Sequence, residues 1–249
     1  ERLSELLARL DGAFQRERRF TSDSAHELRT PISELRTLSE VGLQLAPDFT
    51  NPGDATQYFQ DALAIANQME RLVTTLLALA RCQSGSQPVA WRQVDVARVV
   101  QDAWKPLHEE AHRRGLSTTF VLPPEAVVET DSALLGLVIS NLLSNAVAHT
   151  PGNGIITLET GGDETSVNLA LSNSNNSLEA ADLPRVFESF WRKDSARTGA
   201  SHSGLGLSMV RELVALLRID IDTGLPAPDL FRVSLRIPRV RGPQRVTAP

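Results

Sequence analysis

The chain has 249 residues and a net charge of −5, and its 25 basic residues include only two lysines, Lys105 and Lys193. Hydrophobic residues make up 41% of the chain and charged residues 22%, so we expect a soluble globular protein of one or two domains. No lysine follows a glycine and no Asp-Phe-Gly occurs, which excludes a Walker P-loop and a Ser/Thr/Tyr protein kinase. The acidic balance argues against binding of nucleic acid.

The cellular setting is indicated by cysteine content and hydropathy. The single cysteine, Cys82, allows no intrachain disulfide and favours a reducing compartment. We find no apolar run of about 18 residues and no signal peptide, so we expect no transmembrane helix in this chain. Because the chain begins at Glu1 without a methionine, we expect it to be a fragment of a longer protein.

The first third of the chain has the periodicity of two helices. Apolar residues recur every three or four positions from Leu3 to Leu45, and a second stripe of this kind runs from Ala62 to Ala80. Between them, residues 46–54 hold two prolines and a glycine, which predicts a turn. Two narrow apolar stripes form a poor core alone, so we predict a helical hairpin that pairs with a second copy as a dimeric four-helix bundle.

The remainder of the chain has a mixed α/β pattern. We predict a short strand and helix at 94–114, a strand at 116–121, a helix at 132–147 with Ser132 near its N-cap, strands at 154–160 and 166–171, a short helix at 183–190, a helix at 204–217 and strands at 218–222 and 231–237. The class is therefore α+β, with a hairpin domain (1–83), a linker (84–90), an α/β domain (91–240) and a disordered tail (241–249).

The first candidate site is the string His-Glu-Leu-Arg-Thr-Pro at 26–31. His26 lies on the flank of the apolar stripe, where Glu27 could polarise one ring nitrogen and leave the other as a nucleophile. Thr30 follows one turn later, and Pro31 removes a backbone hydrogen bond and should bend the helix. A lone histidine here would be read as a solvated side chain.

The string resembles the H-box of sensor histidine kinases, the phosphoacceptor hairpin of two-component systems. By this resemblance His26 accepts the γ-phosphoryl group of ATP and Glu27 is its general base. Thr30 is implied to orient water when the protein acts as a phosphatase on its partner. The segments that follow extend the resemblance over nearly the whole chain, in the order of that family.

The second candidate site is a pair of asparagines, Asn141 and Asn145, spaced i, i+4 in an otherwise apolar helical segment. Buried amides need polar partners, and an amide oxygen is also a suitable ligand for Mg²⁺. The segment resembles the family's N-box, which implies that Asn145 coordinates Mg²⁺ and that Asn141 and His149 lie at the nucleotide. The family usually has Lys or Arg where this chain has Ala148.

The third candidate site is the Asn-rich turn after the strand at 166–171. It occupies the place of the family's first glycine box, whose aspartate recognises the adenine amino group. Asn173 stands at the aspartate position, as in heavy-metal-type sensor kinases, and an asparagine can still accept a hydrogen bond from an amino group. Asn175 and Ser177 stand where the family has glycines.

The fourth candidate site combines a segment that resembles the family's F-box with a second glycine box. The glycines open a helix, whose exposed N–H groups can hold phosphate. Arg192 and Lys193 are our candidates for the positive charge facing the phosphates. The residues assigned to nucleotide binding in these two segments are Phe187, Phe190, Arg192, Lys193, Ser203, Gly204, Leu205 and Gly206.

The resemblance implies the catalytic core of a sensor histidine kinase with a Bergerat-type α/β sandwich. It would use ATP and Mg²⁺, phosphorylate His26, pass the phosphoryl group to an aspartate of a response regulator, and carry phosphatase activity. The implied setting is the cytoplasmic portion of a bacterial inner-membrane sensor. One alternative is a weakly active or inactive kinase that serves as a regulator-binding scaffold or phosphatase. An ATPase of the gyrase and chaperone class is disfavoured, because the position of its catalytic glutamate is Asn141 here.

Overall fold

The computed structural model describes residues 21–22, 24–25, 28–43, 52–84, 86–122, 126–175, 177–193 and 204–240. These residues fall into two compact units, one ending at Leu77 and the other beginning at Ala78. His26, Glu27 and Ser203 lie outside the described residues, as do residues 46–51 of the predicted turn and the tail at 241–249. The predictions made for them are therefore neither supported nor contradicted by the structure. Residues 52–54, also predicted as part of the turn, belong instead to a helix.

The first unit consists of two helices. Helix α1 covers residues 28–43, with residues 21, 22, 24 and 25 also helical, and helix α2 covers Pro52–Gln83. This confirms the two predicted helices, although α2 begins ten residues before its apolar stripe. A proline at the start of a helix costs no hydrogen bond, because the first N–H groups have no partner inside the helix.

One face of α2 stays apolar and exposed. Its large side chains Phe59, Leu63, Val73 and Leu77 are 75%, 61%, 42% and 53% exposed. Together with Ala66 and Glu70 they follow alternating steps of four and three residues, the spacing of a coiled-coil seam that holds one charged position. On α1, Ile32 and Leu43 are also exposed, at 51% and 77%.

The second unit is a sheet covered by helices on one face. The five-stranded sheet has the order β2-β4-β5-β7-β6, in which β2 and β4 are parallel and the other neighbours antiparallel. A second sheet pairs β1 with β3 in antiparallel fashion. In chain order the elements are β1 (Arg92–Asp95), α3 (Val96–Trp104), a 3₁₀ turn (Lys105–Leu107), α4 (His108–Arg113), β2 (Ser117–Val121), β3 (Val127–Thr130), α5 (Ser132–His149), β4 (Ile155–Gly162), β5 (Ser166–Ser174), a 3₁₀ turn (Ala180–Arg185), α6 (Gly206–Leu217), β6 (Asp220–Ala227) and β7 (Leu230–Pro238).

The core of this unit lies between the helices and the five-stranded sheet. Helix α5 packs against both α3 and α6. Among the side chains that are essentially removed from solvent are Leu135, Ile139, Leu143, Leu158, Leu169, Leu213 and Leu235, from two helices and three strands. The predicted α/β sandwich is thereby confirmed.

The structure refines one local prediction and corrects two. Ser132 lies next to the N-cap of α5, which is Asp131, and the Asp131 carboxylate accepts hydrogen bonds from two backbone N–H groups of the first turn. The predicted helix at 183–190 is a 3₁₀ turn at Ala180–Arg185 followed by turns. The helix predicted from Gly204 begins at Gly206, because Gly204 has a φ of +67°, outside the helical region.

Strand β3 was not predicted. It has only four residues, and it pairs with β1, more than 30 positions earlier in the sequence. Such a short strand gives too few alternations to be detected locally.

One described helix, α5, is long and apolar enough to cross a membrane by length and composition. Eight of its residues are buried in the protein core, and it carries the two asparagines of the candidate site. This is the pattern of the central helix of a folded domain. It gives no support to a membrane span at this position.

Candidate functional site

Thr30 is the catalytic candidate of the hairpin that the structure describes. It lies on an exposed part of α1 and lines an open groove between α1 and α2, together with Thr37, Tyr58 and Asp61. Pro31, the next residue, is buried, and the helix continues through it. The groove is thus accessible within this unit, one helical turn from the position of His26 in the sequence.

Asn141 and Asn145 both lie on α5 and are partly buried. The amide nitrogen of Asn141 donates to the carbonyl of Leu137 at 2.8 Å. Its oxygen lies against α6, so close that a Cβ added to Gly206 would be 3.1 Å from it. Asn145 is different: its side-chain amide makes no hydrogen bond within the described part of the chain. Its oxygen is therefore available as an outside ligand.

The last turn of α5 is held by an arginine that the sequence did not reveal. The Arg114 guanidinium donates to the carbonyls of Val147, Ala148 and Thr150, the last two at 3.1 and 2.6 Å. The Thr150 hydroxyl also donates to the carbonyl of Ala146 at 2.6 Å. The bonds from Arg114 satisfy carbonyls that a helix end leaves without internal partners, and the Thr150 hydroxyl adds a second bond to a carbonyl that already accepts the Thr150 N–H. Nothing near position 114 in the sequence points to this role.

His149 is the last residue of α5. Its pKa is held below the usual value of a histidine, first by desolvation of the ring and then by the positive charges of Arg192 and Arg114. Both effects disfavour the charged imidazolium, so His149 is neutral at pH 7.

Asn173 is buried near the end of β5, between Ile156 of β4 and Phe231 of β7. Its amide nitrogen donates to the carbonyl of Ser174 at 3.0 Å. This bond uses the donor end of the amide and leaves its oxygen as an acceptor. The geometry suits recognition of an amino group.

The side chain of Asn175 forms its hydrogen bonds within its own loop. Its side-chain oxygen accepts from the backbone N–H groups of Ser177 and Leu178, at 3.0 and 2.8 Å, and its nitrogen donates to the carbonyl of Leu178. The residue is buried and its φ is negative. An asparagine therefore fits at this glycine position, because it does not need the left-handed conformation and its side chain turns into its own loop.

The segment that resembles the F-box begins with the 3₁₀ turn at Ala180–Arg185. Glu179 and Asp182 form a reciprocal capping box around its start. Phe187 and Phe190 are partly buried, and Phe190 has a φ of +64°. Lys193 differs from the expectation of a phosphate-facing charge, since its ammonium group donates to Glu179 at 2.9 Å and to Asp182 at 2.6 Å.

The start of α6 is tightly fitted and has no side-chain cap. The Phe190 N–H donates to the carbonyl of Gly204 at 3.0 Å, and a Cβ at Gly204 would lie 2.9 Å from the Phe190 backbone. The side chain of Leu205 is fully buried, so only its backbone can reach a ligand. Among the described residues, no side chain caps the first N–H groups of α6, beginning at Gly206. Uncapped N–H groups at a helix start attract anions.

The structure brings two pairs of the candidate residues together in the second unit: the Asn141 side chain lies against Gly206, and the Phe190 N–H binds the Gly204 carbonyl. Nucleotide and Mg²⁺ fit these residues, because the helix start lacks a cap and Asn145 has an amide without a bond to the described chain. Among the described residues no group of three or more His, Cys, Asp or Glu side chains could hold a metal ion, so Asn145 remains the candidate.

Two family models match the chain. The model of the His Kinase A phospho-acceptor domain matches residues 16–85. The model of the histidine kinase-, DNA gyrase B- and HSP90-like ATPase matches residues 130–241. An ATP-binding domain therefore follows a phospho-acceptor domain in this chain.

Individual proteins agree with this order. The chain is 31% identical over 216 residues to the sensor protein IrlS of Burkholderia pseudomallei, an alignment that covers 84% of this chain and 44% of IrlS. The chain thus spans less than half the length of this curated relative. Among solved structures, the histidine kinase AdeS of Acinetobacter baumannii has the same fold, with a TM-score of 0.68 at 20% identity over 86% of this chain and 98% of AdeS.

A second solved structure contains the histidine kinase ThkA in complex with the response regulator protein TrrA. ThkA has a TM-score of 0.64 at 19% identity, over 93% of this chain and 66% of ThkA. The fold and the matched domains define an ATP-binding module joined to a phospho-acceptor module. The chain belongs to the sensor histidine kinase family.

Proposed function

We propose that the chain uses ATP to phosphorylate His26 and passes the phosphoryl group to an aspartate of a response regulator. One observation carries the proposal for the nucleotide site. Two glycines, Gly204 and Gly206, let the start of α6 lie close to Phe190 and Asn141, and no described side chain caps this start. The helix packs against α5, on which the Asn145 amide makes no hydrogen bond to the described part of the chain. This is a place for phosphate beside a ligand for a divalent cation.

Each described residue has a role in this proposal. The oxygen of Asn173 accepts a hydrogen bond from the adenine amino group. The N–H groups at the start of α6 and the guanidinium of Arg192 bind phosphate oxygens. Asn145 would hold Mg²⁺, which neutralises charge on the phosphates. Neutral His149 and the rings of Phe187 and Phe190 line the same site and exclude water.

The phosphoryl transfer is assigned to residues of the H-box. A ring nitrogen of His26 attacks the γ-phosphorus, the bond to the bridging oxygen breaks, and ADP leaves with that oxygen. The attacking nitrogen is the unprotonated one, and the proton on the other ring nitrogen passes to Glu27 as the phosphorus–nitrogen bond forms. The phosphoryl group then moves from His26 to the carboxylate of the regulator. Both residues lie outside the described part of the chain, so these roles rest on the motif.

The central test is His26→Gln in this chain, incubated with Mg²⁺ and ATP labelled on the γ-phosphate. We expect complete loss of acid-labile, base-stable label, while ATP affinity measured by calorimetry stays unchanged. The matched control is His112→Gln on the exposed surface of α4, which should label normally. Acid-labile label that persists in the His26 variant would refute the assignment.

A second test addresses the recognition of the adenine base of ATP by Asn173. Because the Asn173 amide offers an acceptor, Asn173→Asp should keep ATP binding, whereas Asn173→Ala should weaken it about tenfold, the effect of about 1.4 kcal/mol from one buried hydrogen bond. The same variants are titrated with GTP, whose base carries a carbonyl at the equivalent position. Equal ATP affinity of the alanine variant and the wild type would contradict the role of Asn173.

We also propose a homodimer formed through the hairpin, a regulator that docks on it, and a phosphatase activity. The exposed apolar seam of α2 supports the dimer, since an unpaired seam is unfavourable in water. Thr30, exposed in the groove of the hairpin, supports the phosphatase role. Loss of the basic residue at Ala148 favours the alternative of a weak kinase that acts mainly as a phosphatase. In that case labelled regulator would lose its label faster with the chain present.

For the whole protein we propose a membrane-anchored sensor whose cytoplasmic part includes this chain. The support is the length of its relatives, which extend well beyond the matched region and are described as sensor proteins. Cell fractionation of the full-length protein tests this. Recovery of that protein in the soluble fraction would contradict it.

A further inference from the structure

Lys193 is held by two carboxylates. Its ammonium group donates to Glu179 at 2.9 Å and to Asp182 at 2.6 Å. The Asp182 carboxylate oxygen that binds Lys193 also accepts the backbone N–H of Glu179 at 2.9 Å. This one oxygen of Asp182 thus links Glu179, at the start of the 3₁₀ turn, to Lys193, eleven residues after Asp182.

Lys193 and the two carboxylates stabilise one another's charged forms. The hydrogen bond to Asp182, followed by the one to Glu179, raises the pKa of Lys193 above its usual value. The hydrogen bond from Lys193, followed by that from the backbone of Glu179, lowers the pKa of Asp182. A lysine bound in this way is a poor phosphate ligand, because reaching a phosphate would mean leaving two carboxylates behind.

The backbone just before Lys193 is also held in place, at Phe190. Phe190 donates its N–H to Gly204, and the two backbones are so close that Gly204 has no room for a Cβ. The residues between Phe190 and Lys193 are therefore tied at both ends. Arg192 lies within this short stretch, and its charge acts on His149 at the end of α5.

We propose that Lys193 is a positioning residue that fixes Arg192 at the nucleotide site by binding Asp182 and Glu179, and that Lys193 does not itself contact phosphate. The inference rests on the proposed nucleotide site. It extends that proposal by dividing the two adjacent cations into one that binds the triphosphate and one that holds its neighbour in place.

The test is a mutant cycle read by calorimetric titration with MgATP and, separately, with adenosine. The variants are Lys193→Met, Asp182→Asn and the double variant, and Asp182→Asn keeps an oxygen to cap the 3₁₀ turn. We expect each single variant to weaken MgATP about three- to fivefold, the scale of a partly exposed ion pair. The double variant should be no weaker than either single one, and adenosine affinity should not change.

The chain supplies a matched control in its other lysine. Lys105 forms an exposed ion pair of 2.7 Å with Asp102 at the C-terminal end of α3, with no proposed role at the site. Lys105→Met should bind MgATP like the wild type. Arg192→Met should weaken MgATP more than Lys193→Met does and leave adenosine affinity unchanged.

Two outcomes would overturn the inference. If Lys193→Met weakens MgATP while Asp182→Asn leaves it unchanged or tightens it, Lys193 contacts phosphate directly. If Lys193→Met has no effect on MgATP affinity, Lys193 does not position Arg192. Failure of the proposed function gives a different result, because the wild-type chain itself would then not bind MgATP.

Discussion

The two units of this chain differ in how they use apolar residues. Among the described residues, Leu72 is the one buried apolar side chain of the first unit apart from Pro31, whereas the second unit buries most of its large apolar side chains in one cluster. The first unit leaves a seam of Phe59, Leu63, Val73 and Leu77 exposed on α2. A unit with its own core needs no partner to fold, whereas a pair of helices with an open seam does.

The largest expected effect is on the seam. Leu63→Glu places a charge where the second copy would pack, and burial of an unpaired charge is costly, so the chain should become monomeric. Light scattering at micromolar concentration measures this, and MgATP titration should show an intact second unit. Ala64→Glu, on an exposed part of α2 turned away from the seam, is the control and should remain dimeric. A dimer that survives Leu63→Glu would place the interface elsewhere.

A smaller effect is expected in the backbone of the second unit. Gly204→Ala introduces a Cβ 2.9 Å from the Phe190 backbone at a residue with a φ of +67°. We expect a loss of about 2 kcal/mol in unfolding free energy, together with weaker MgATP binding. Urea unfolding followed by tryptophan fluorescence measures the change in unfolding free energy. Gly161→Ala, which has open space around it, is the control, and equal losses in both variants would contradict the close fit at Gly204.

The smallest effect concerns pH. Because the folded state lowers the pKa of His149, the unfolded chain binds a proton more readily, and stability should fall as the pH drops below the usual histidine value of about 6.5. At pH 7.5 both states hold a neutral imidazole, and this contribution is fully present. We expect His149→Gln to lose less stability than the wild type between pH 7.5 and 5.5 in urea unfolding. If the unfolding free energy of the variant depends on pH as that of the wild type does, His149 does not contribute to this dependence.

Much of the fold was predictable because its signals are local. The two stripes of apolar residues identified α1 and α2, and alternating patterns identified β2, β4, β5 and β7. The candidate site was predictable for a different reason: Asn141, Asn145 and Gly206 lie in short motifs whose order is typical of one family. The ATP-binding class follows from these motifs and is confirmed by the family model over residues 130–241.

The features that escaped prediction depend on distant residues. Arg114 caps α5 from 33 residues away, and Lys193 finds its partners 11 and 14 positions earlier. The N-cap of α5 shows the same effect on a smaller scale. Asp131 and Ser132 are both good capping residues, but Asp131 also accepts the backbone N–H of Ala90 at 2.8 Å, a contact that no local pattern reveals.

The loop at Asn175 has a consequence for the unfolded chain. A glycine samples more backbone conformations than an asparagine before folding, so ordering it costs more entropy. Asn175 reduces that cost and adds three hydrogen bonds inside its own turn. The described residues of this loop are thus held by side-chain contacts of their own, and a ligand at the proposed base site would have less disorder left to remove.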